Sequence, residues 1–238
     1  MTRVAALYDI HGNLPALEAV IGDIEREQVD VIVVAGDSFS GPWPSEVLDL
    51  LAEVGALAVH GNADRLDVIR AADSALGDWN VARLGEAQLA VVAAWPLTME
   101  LDIDGLGNVL VCHATPNSDE PIYTRITPDD ELVELLGPVD ADALVCGHTH
   151  MQYDLLLSSG LRVVNPGSVG LPYEGQPGAY WALLGPDVEL RRTEYDVVAT
   201  VAAMRELRLP VREEQLMQLV DPPTSDATTE YFESLRGT

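Results

Sequence analysis

The chain has 238 residues, a length that fits one domain with a sizeable core and does not require a second. It carries 39 acidic residues against 13 basic ones, all of them Arg, and its formal net charge is −26. Such a surface repels DNA, RNA and anionic lipid, so it disfavours nucleic-acid and membrane binding and requires phosphate recognition to be local. Solubility explains the acidity more simply than an acidic partner-binding role does.

The first hundred residues predict strands alternating with helices. Short apolar runs that break at Gly or Asp are typical of strands buried on both faces, and we expect them at 4–8, 31–35 and 57–59. Apolar residues at helical spacing predict helices at 14–24, 45–54 and, less regularly, across 64–95. The order strand, helix, strand predicts parallel pairing through right-handed crossovers.

From Leu97 the helical pattern gives way to alternation. Residues 99–103 and 109–111 flank an Asp-Gly turn, which predicts an antiparallel hairpin that begins a second sheet. The polar loop 115–127 is long enough to overhang a site, and Pro128 opens a helix. We expect later strands at 143–146, 153–157, 161–164, 180–184 and 188–194, the last four as a meander on the second sheet.

The C-terminal part of the sequence predicts two helices and a tail. Residues 197–209 and 213–219 show helical periodicity, whereas the segment after Asp221 begins Asp-Pro-Pro and has little periodic apolar content. We therefore expect a single domain over residues 1–220 and a weakly ordered tail over 221–238.

Cysteine usage and the absence of targeting patterns predict the compartment. Cys112 and Cys146 lie in apolar runs, as buried core residues of a reduced protein do, and a role as metal ligands is disfavoured. The sequence has no signal-peptide pattern, and no apolar window approaches the roughly 20 residues that span a bilayer. We expect a cytoplasmic protein without a membrane partner, and a homo-oligomer remains open.

All five histidines follow short apolar runs, at points where a strand would give way to a turn: His11, His60, His113, His148 and His150. A single His in this position is most often an ordinary loop residue. Five of five are better explained if the strands deliver them to one carboxyl edge, where open α/β folds bind their ligands.

Three of these histidines occur in two motifs that are typical of metal sites. Asp9 and His11 are separated by one residue, which places both side chains on one side of an extended segment. The same spacing recurs in His148 and His150, and three further candidates follow predicted strands: Asp37, Asn62 and His113. Carboxylates, imidazoles and an amide oxygen suit Mn, Fe, Zn, Ni or Co, and their number is sufficient for two ions that share a carboxylate.

The chain resembles the calcineurin-like metallophosphoesterases in an ordered set of motifs: Asp9-x-His11, Gly36-Asp37, Gly61-Asn62, His113 and Gly147-His148-Thr149-His150. The resemblance runs from Arg3 to about Leu184, and the turn 165–168, Asn-Pro-Gly-Ser, is similar to one in the small bacterial phosphodiesterase branch. It implies an α/β fold, a four-layer α/β/β/α sandwich of two mixed sheets flanked by helices.

The resemblance also implies a dinuclear metal centre and an activity. One ion would be held by Asp9, His11, Asp37 and His150, and the other by Asp37, Asn62, His113 and His148, so that Asp37 bridges. The implied reaction is hydrolysis of a small or activated phosphate ester, above all a phosphodiester, by a hydroxide that bridges the metals. The physiological substrate and the native metals are left open.

The chain departs from the family pattern at Ala63, where the family usually has a His that assists the leaving group. General acid catalysis contributes about 10²–10⁴-fold, so its loss should matter most for poor leaving groups. Asp64, which in the family orients that His, and His60 remain candidate catalytic residues. Asn62 is also a candidate catalytic residue and is expected to contact substrate as well as metal, and Arg65 is a candidate phosphate ligand.

Two other functions are compatible with parts of the sequence. The family includes a membrane-coat subunit, so the chain could be a metal-binding scaffold of the same fold that acts through partner binding with little or no catalysis. The presence of all seven ligand residues argues against this alternative. A nuclease or regulator fits less well, because the chain has no Lys and a strongly acidic surface.

Overall fold

The computed structural model describes residues 2–71 and 74–236. It contains two five-stranded mixed sheets flanked by helices, which confirms the predicted four-layer sandwich. The ten strands are, in chain order, β1 (Val4–Leu7), β2 (Val31–Ala35), β3 (Leu57–Val59), β4 (Thr98–Ile103), β5 (Gly107–Cys112), β6 (Ala143–Val145), β7 (Gln152–Leu156), β8 (Arg162–Pro166), β9 (Ala179–Leu184) and β10 (Val188–Thr193).

Nine α-helices lie in the described residues: α1 (Leu14–Ile24), α2 (Pro44–Glu53), α3 (Leu66–Ala71), α4 (Ala75–Val81), α5 (Glu86–Ala93), α6 (Asp129–Leu136), α7 (Val197–Glu206), α8 (Glu213–Met217) and α9 (Ser225–Leu235). The start of α1 illustrates how local sequence sets a boundary. The side chain of Asn13 accepts a hydrogen bond from the backbone N–H of Ala16, and Pro15 occupies the first turn, where its missing N–H costs nothing. None of these described helices has the length and apolar character that crossing a membrane requires.

The first sheet has the strand order β10-β9-β1-β2-β3 and the second has β4-β5-β6-β8-β7. β1, β2 and β3 are parallel neighbours with α1 and α2 in the connections, as the alternating pattern predicts. β4 and β5 form the predicted antiparallel hairpin, and β5, β6 and β8 run parallel. The parallel strands of both sheets therefore deliver the loops that follow them to shared edges.

The main core lies between the two sheets. It combines side chains of β1, β2, β5, β6, β8 and β9, among them Val33, Val109 and Leu184. The hydroxyl of Tyr8 crosses this layer and donates to the carbonyl of Val145 at 2.7 Å, which ties the end of β1 to the end of β6. Each fully buried aliphatic side chain contributes about 1.5–3 kcal/mol, so this layer holds the strand ends in fixed relation.

The predicted meander on the second sheet is wrong in its second half. β7 and β8 do pair there, but β9 returns to the first sheet, antiparallel to β1 with Val4 opposite Leu184, and β10 extends that sheet. All six residues of β9 are buried, as an interior strand covered on both faces requires. Apolar character predicted the burial of β9 correctly, but it carried no information about which strand β9 pairs with.

The segment after Asp221 differs from the expected weakly ordered tail, since α9 occupies most of its described part. Hydroxyls of Thr124 and Thr127 donate to the Glu233 carboxylate, and Arg125 binds Ser225 and Thr229. The helix is held by polar contacts to the 115–127 segment, which a search for apolar periodicity cannot detect.

Candidate metal centre

The seven predicted ligands gather where strands of both sheets end. Two groups of three each place one ligand atom per residue within 4.8 Å of the others: Asp9, His11 and His150 in one group, and Asp37, His113 and His148 in the other. Asn62 joins the second group, because its Oδ1 lies 3.1 Å from Nε2 of His113. The predicted division between two sites thus appears in the geometry.

Five of these residues have a left-handed backbone, with φ of 51° at Asp9, 47° at His11, 51° at Asp37, 66° at His148 and 59° at His150. Among the other described residues, only two that are not glycine share this feature. Such a conformation costs a side-chain-bearing residue about 1 kcal/mol or more and persists where the surroundings impose it. Its concentration at the strand ends marks these turns as a built site.

Glycines next to the ligands provide the space that the ligands occupy. A Cβ at Gly36 would lie 2.2 Å from Nδ1 of His113, and one at Gly61 would lie 2.3 Å from Oδ1 of Asp37. A Cβ at Gly147 would lie 2.6 Å from Oδ2 of Asp9. At each of these three positions, a side chain larger than that of glycine would therefore overlap a candidate ligand that another strand delivers.

Asp9 lies at the centre of the first group and is fully buried. Its Oδ2 accepts a hydrogen bond from the backbone N–H of His148 at 3.1 Å, whereas Oδ1 has no hydrogen-bond partner among the described residues. Oδ1 lies 3.3 Å from Nε2 of His150. A buried carboxylate oxygen without a partner is costly, and a cation is the partner that such an oxygen accepts most readily.

Two histidines use one ring nitrogen for the protein and direct the other into the site. Nδ1 of His150 lies 2.6 Å from the carbonyl of Leu171, and Nδ1 of His113 lies 3.1 Å from the carbonyl of Ala35. Each Nδ1 therefore carries the proton and leaves Nε2 free to accept. Metal-binding histidines are oriented in this way by carbonyl groups.

Asp37 lies between the two groups. Its Oδ1 accepts from the backbone N–H of Ala63 at 2.8 Å. Its Oδ2 lies 3.8 Å from Nε2 of His11 in one group and 3.6 Å from Nε2 of His113 in the other. This is the position that a bridging carboxylate needs.

Burial and mutual charge set the protonation of the site. Burial, together with the charge of His113, lowers the pKa of His148 to about 4, and burial also lowers the pKa of His11. Burial raises the pKa of Asp9, but the neighbouring histidines, His150 first, lower it by more, so its pKa lies well below the ordinary range. Ionised carboxylate and neutral imidazole are the forms that bind metal.

His150 and His113 are shifted in the opposite direction. Burial lowers the pKa of both, but the carboxylates of Asp9 and Asp37 and the hydrogen bonds to backbone carbonyls raise it by more. Both imidazoles therefore gain a proton readily when the neighbouring carboxylates bind no metal ion. Divalent ions bound at the same place would compete with those protons.

Asp64 supports the turns of the site. It is buried, and its two oxygens accept from the backbone N–H groups of Ser38 at 2.9 Å and Gly61 at 3.1 Å. Burial, followed by the charge of Asp37, raises the pKa of Asp64 to about 7. These contacts give Asp64 a positioning role, and its predicted catalytic role stays a prediction.

The other two tentative residues, His60 and Arg65, contact a residue that the sequence did not indicate. Nδ1 of His60 lies 3.2 Å and Nε of Arg65 lies 3.1 Å from Oδ2 of Asp119, a buried side chain in the 115–127 segment. Arg65 also pairs with Glu120. Their roles as acid and phosphate ligand remain predictions, and the contacts seen tie that segment to the turn after β3.

Three further residues support the centre. Nδ2 of Asn165 donates to the carbonyl of Gly147 at 2.8 Å, and the Ser168 hydroxyl donates to the carbonyl of Asp9 at 2.7 Å. Tyr173 stacks on His150 with ring centroids 4.8 Å apart and planes at 14°. The Asn-Pro-Gly-Ser turn was a visible signal for the first two, whereas nothing in the sequence singled out Tyr173.

The two sheets and their clustered carboxylates and imidazoles define a metal-binding α/β protein. Residues 2–185 match the model of the calcineurin-like phosphoesterase superfamily domain, and the chain therefore belongs to that superfamily. This confirms the resemblance seen in the motifs. The family implies divalent metal ions, and the two groups of ligands are the candidate sites for them.

Relatives extend over nearly the whole chain. An uncharacterized protein of Methanocaldococcus jannaschii is 29% identical over 236 residues, which cover 88% of this chain and 94% of that protein. A metallophosphoesterase from Sphaerobacter thermophilus is 29% identical with a TM-score of 0.73, over 92% of this chain and 98% of that one. A hypothetical protein from Pyrococcus horikoshii shares the fold, with a TM-score of 0.82 at 21% identity over 94% and 100% of the two chains. Family and neighbours indicate a phosphoesterase.

Proposed function

We propose that the chain is a dinuclear metal-dependent phosphodiesterase that hydrolyses a small or activated phosphate ester. The observation that carries the proposal is the pair of adjacent ligand groups with the Asp37 carboxylate between them. Two cations held by these groups, with Asp37 available to both, would supply the charge that stabilises a phosphate during in-line displacement. Membership of a phosphoesterase family supports the same reaction class.

The residues present fit divalent ions. The buried Oδ1 of Asp9, which has no hydrogen-bond partner among the described residues, favours a cation, and the Nε2 atoms of His113 and His150 point into the same site as possible ligands. We assign Asp9, His11, Asp37 and His150 to one ion and Asp37, Asn62, His113 and His148 to the other. Mixed carboxylate, amide and imidazole donors favour Mn, Fe, Zn, Ni or Co.

Bound ions would act as Lewis acids toward the phosphate and toward water, and would form a local positive site in a chain of net charge −26. The protein itself supplies position. The Asp37 carboxylate accepts a hydrogen bond from the backbone N–H of Ala63, and the Asp9 carboxylate accepts one from the N–H of His148. The backbone carbonyl of Asp9 also accepts a hydrogen bond from the Ser168 hydroxyl. Loops fixed at both ends in this way keep the ligands in one geometry before substrate arrives.

Ala63 cannot protonate the leaving oxygen, because its side chain is a methyl group and has no proton to donate. Substrates whose leaving group is already a weak base need less protonation. Aryl and anhydride-type esters should therefore react faster than alkyl esters, which is why we propose an activated ester as substrate.

Metal content and turnover test the proposal together. Elemental analysis of the purified protein should give two divalent metals per chain, and added Mn²⁺ should support hydrolysis of bis(p-nitrophenyl) phosphate at a higher kcat/KM than p-nitrophenyl phosphate. Asp37→Asn should lower both metal content and turnover, because the shared carboxylate is lost. Asp67→Asn, at an exposed position, is the matched control.

The possible outcomes separate the hypotheses. Two metals without turnover on a broad panel of phosphate esters would favour the scaffold alternative. A protein that binds no metal under any loading condition would overturn the assignment of the site.

A further inference from the structure

A cleft of about 310 Å³ opens beside the candidate metal centre, under the segment that carries α7 and α8. Its lining is largely aliphatic and includes Leu76, Leu171, Leu209 and Leu216. His11 and Tyr173 also line it. The cleft is about twice the size of a roughly 150 Å³ cavity that holds benzene, so a group of one or two rings fits.

The cleft and the metal centre share structural parts. His11 lines the cleft and belongs to the first ligand group. Tyr173 stacks on His150, and the carbonyl of Leu171 accepts the hydrogen bond that orients the same imidazole. A substrate whose phosphorus lies at the metal centre therefore has the cleft within reach of one of its substituents.

The lining is uncharged apart from His11. None of the described lining residues is Asp, Glu or Arg, although 22% of the whole chain is charged. The polar side chains of the lining, besides His11, are neutral amides and hydroxyls, from Asn13, Ser40, Tyr173, Gln215 and Gln218. Such a lining favours an apolar ligand with a few neutral hydrogen-bonding groups and disfavours a second phosphate.

We propose that this cleft binds a neutral, aromatic substituent that stays on the phosphorus of a phosphodiester substrate. The inference rests on the proposed phosphodiesterase function and adds the substrate class to it. A retained, non-reacting substituent is the part of a substrate whose binding energy an enzyme can use for positioning. The substrates would be phosphodiesters with one aromatic or heteroaromatic group and no second charge.

Two esters with the same leaving group test the cleft. Phenyl p-nitrophenyl phosphate and methyl p-nitrophenyl phosphate both release p-nitrophenolate and differ only in the retained group. We expect kcat/KM to be about tenfold higher for the phenyl ester, as partial burial of one ring predicts. A 4-carboxyphenyl ester should lose this advantage, because its charge would enter an uncharged lining.

A binding measurement provides a readout that needs no turnover. Phenyl phosphate and methyl phosphate correspond to the two products and carry the same phosphate. Isothermal titration calorimetry of the metal-loaded protein should give a Kd about tenfold lower for phenyl phosphate.

Variants in two different helices that line the cleft locate the effect. Leu216→Ala on α8 and Leu76→Ala on α4 should each reduce the phenyl-to-methyl ratio about threefold, since each removes part of the apolar contact. Met217→Ala is the matched control, because Met217 lies in the same helix as Leu216, is 39% exposed and does not line the cleft. The α4 variant keeps the test valid if truncation loosens α8.

The outcomes distinguish the two proposals. Equal kcat/KM for the two esters and equal Kd for the two monoesters would overturn the cleft assignment and leave the phosphodiesterase in place. A preference that neither wall variant changes would also overturn it. Tighter binding of phenyl phosphate, lost in both wall variants, without turnover of any diester would support the cleft and overturn the proposed function.

Discussion

Asn165 shows that ligand position depends on side chains that bind no metal. Its amide donates to the carbonyl of Gly147 and, at 3.2 Å, to the hydroxyl of Thr149, and its oxygen accepts from the N–H of Gly167. These three bonds fix the segment that presents His148 and His150. Because the side chain is fully buried, no water replaces it when it is removed.

We therefore expect Asn165→Ala to weaken Mn²⁺ binding about 10–100-fold, the usual cost of losing a residue that orients metal ligands. Titration calorimetry measures the change. Asn108→Ala is the matched control, since Asn108 donates to the carbonyl of Asp140 at the opposite end of β5. Equal affinities in the two variants would contradict a positioning role for Asn165.

The ligands themselves were predictable at this scale, and their neighbours were not. Spacing such as Asp9-x-His11 and the location after apolar runs are local signals, and the structure brings all seven candidates together. Asp119 and Tyr173 act through contacts to residues far away in the sequence, and their own surroundings in the chain carry no pattern. The left-handed backbone at the ligands likewise follows from tertiary contacts.

At the scale of elements, the 115–127 segment is held at two points. Asp119 anchors its first half on His60 and Arg65, and Thr124 and Thr127 anchor its second half on α9. The segment begins two residues after His113, so both anchors restrain the part of the chain that follows this member of the second ligand group.

Asp119→Asn should loosen the first half of this segment. Loss of the charge leaves Arg65 with only the exposed Glu120 as partner, at a cost of about 1–2 kcal/mol, and local opening should increase roughly tenfold. Hydrogen–deuterium exchange followed by mass spectrometry should show faster exchange of the backbone amides around Asp119, in the first half of the segment. Glu120→Gln is the matched control, and an equal rate in both variants would refute the anchor.

The second anchor predicts a dependence on pH. Partial burial raises the pKa of Glu233, but hydrogen bonds from Thr124 and Thr127 and the charge of Arg236 lower it by more. A carboxyl with a lowered folded-state pKa stabilises the fold above its unfolded pKa, near 4.5, and the contribution is lost as the pH falls through the folded value.

Glu233→Gln should accordingly lower the Tm by about 2–4 °C at pH 7, with the difference from wild type vanishing at acidic pH. Differential scanning fluorimetry from pH 3 to 7 measures it. Glu230→Gln, on an exposed face of α9, should show no such trend. A difference that is constant over this range would mean that the Glu233 charge plays no part.

The type and position of the helices and strands were more predictable than the elements against which they pair or pack. Periodicity identified β1 to β8 and α1 with small differences at their ends, because the local pattern of apolar residues indicates which faces are buried. It failed for the placement of β9 and for α9, since the first depends on a strand more than 150 positions away and the second on polar contacts.

For the whole molecule, charge is the dominant property. Among the residues that the structure describes, nine arginines pair with carboxylates, but most of these pairs are exposed and each contributes little. With 39 acidic residues against 13 Arg, unpaired carboxylates outnumber the pairs, so repulsion outweighs attraction at low salt.

Raising NaCl from about 0.05 to 1 M should therefore increase the Tm, since the screening length falls from more than 10 Å to about 3 Å. The measurement needs saturating metal, so that ion binding stays constant. A Tm that decreases with salt would show that the arginine ion pairs outweigh the repulsion.

The pairing of β1 with β9 has a consequence for how the chain is made. β1 ends at Leu7 and β9 begins at Ala179, and ribosomes add about 5–20 residues per second, so β1 emerges on the order of 10–30 s before its second neighbour exists. Ser168 and Gly170, which bind the backbone of Asp9, are also made late. During synthesis the nascent first sheet has an open, apolar edge, and the candidate metal centre gains its full set of supporting contacts only after most of the chain has been translated.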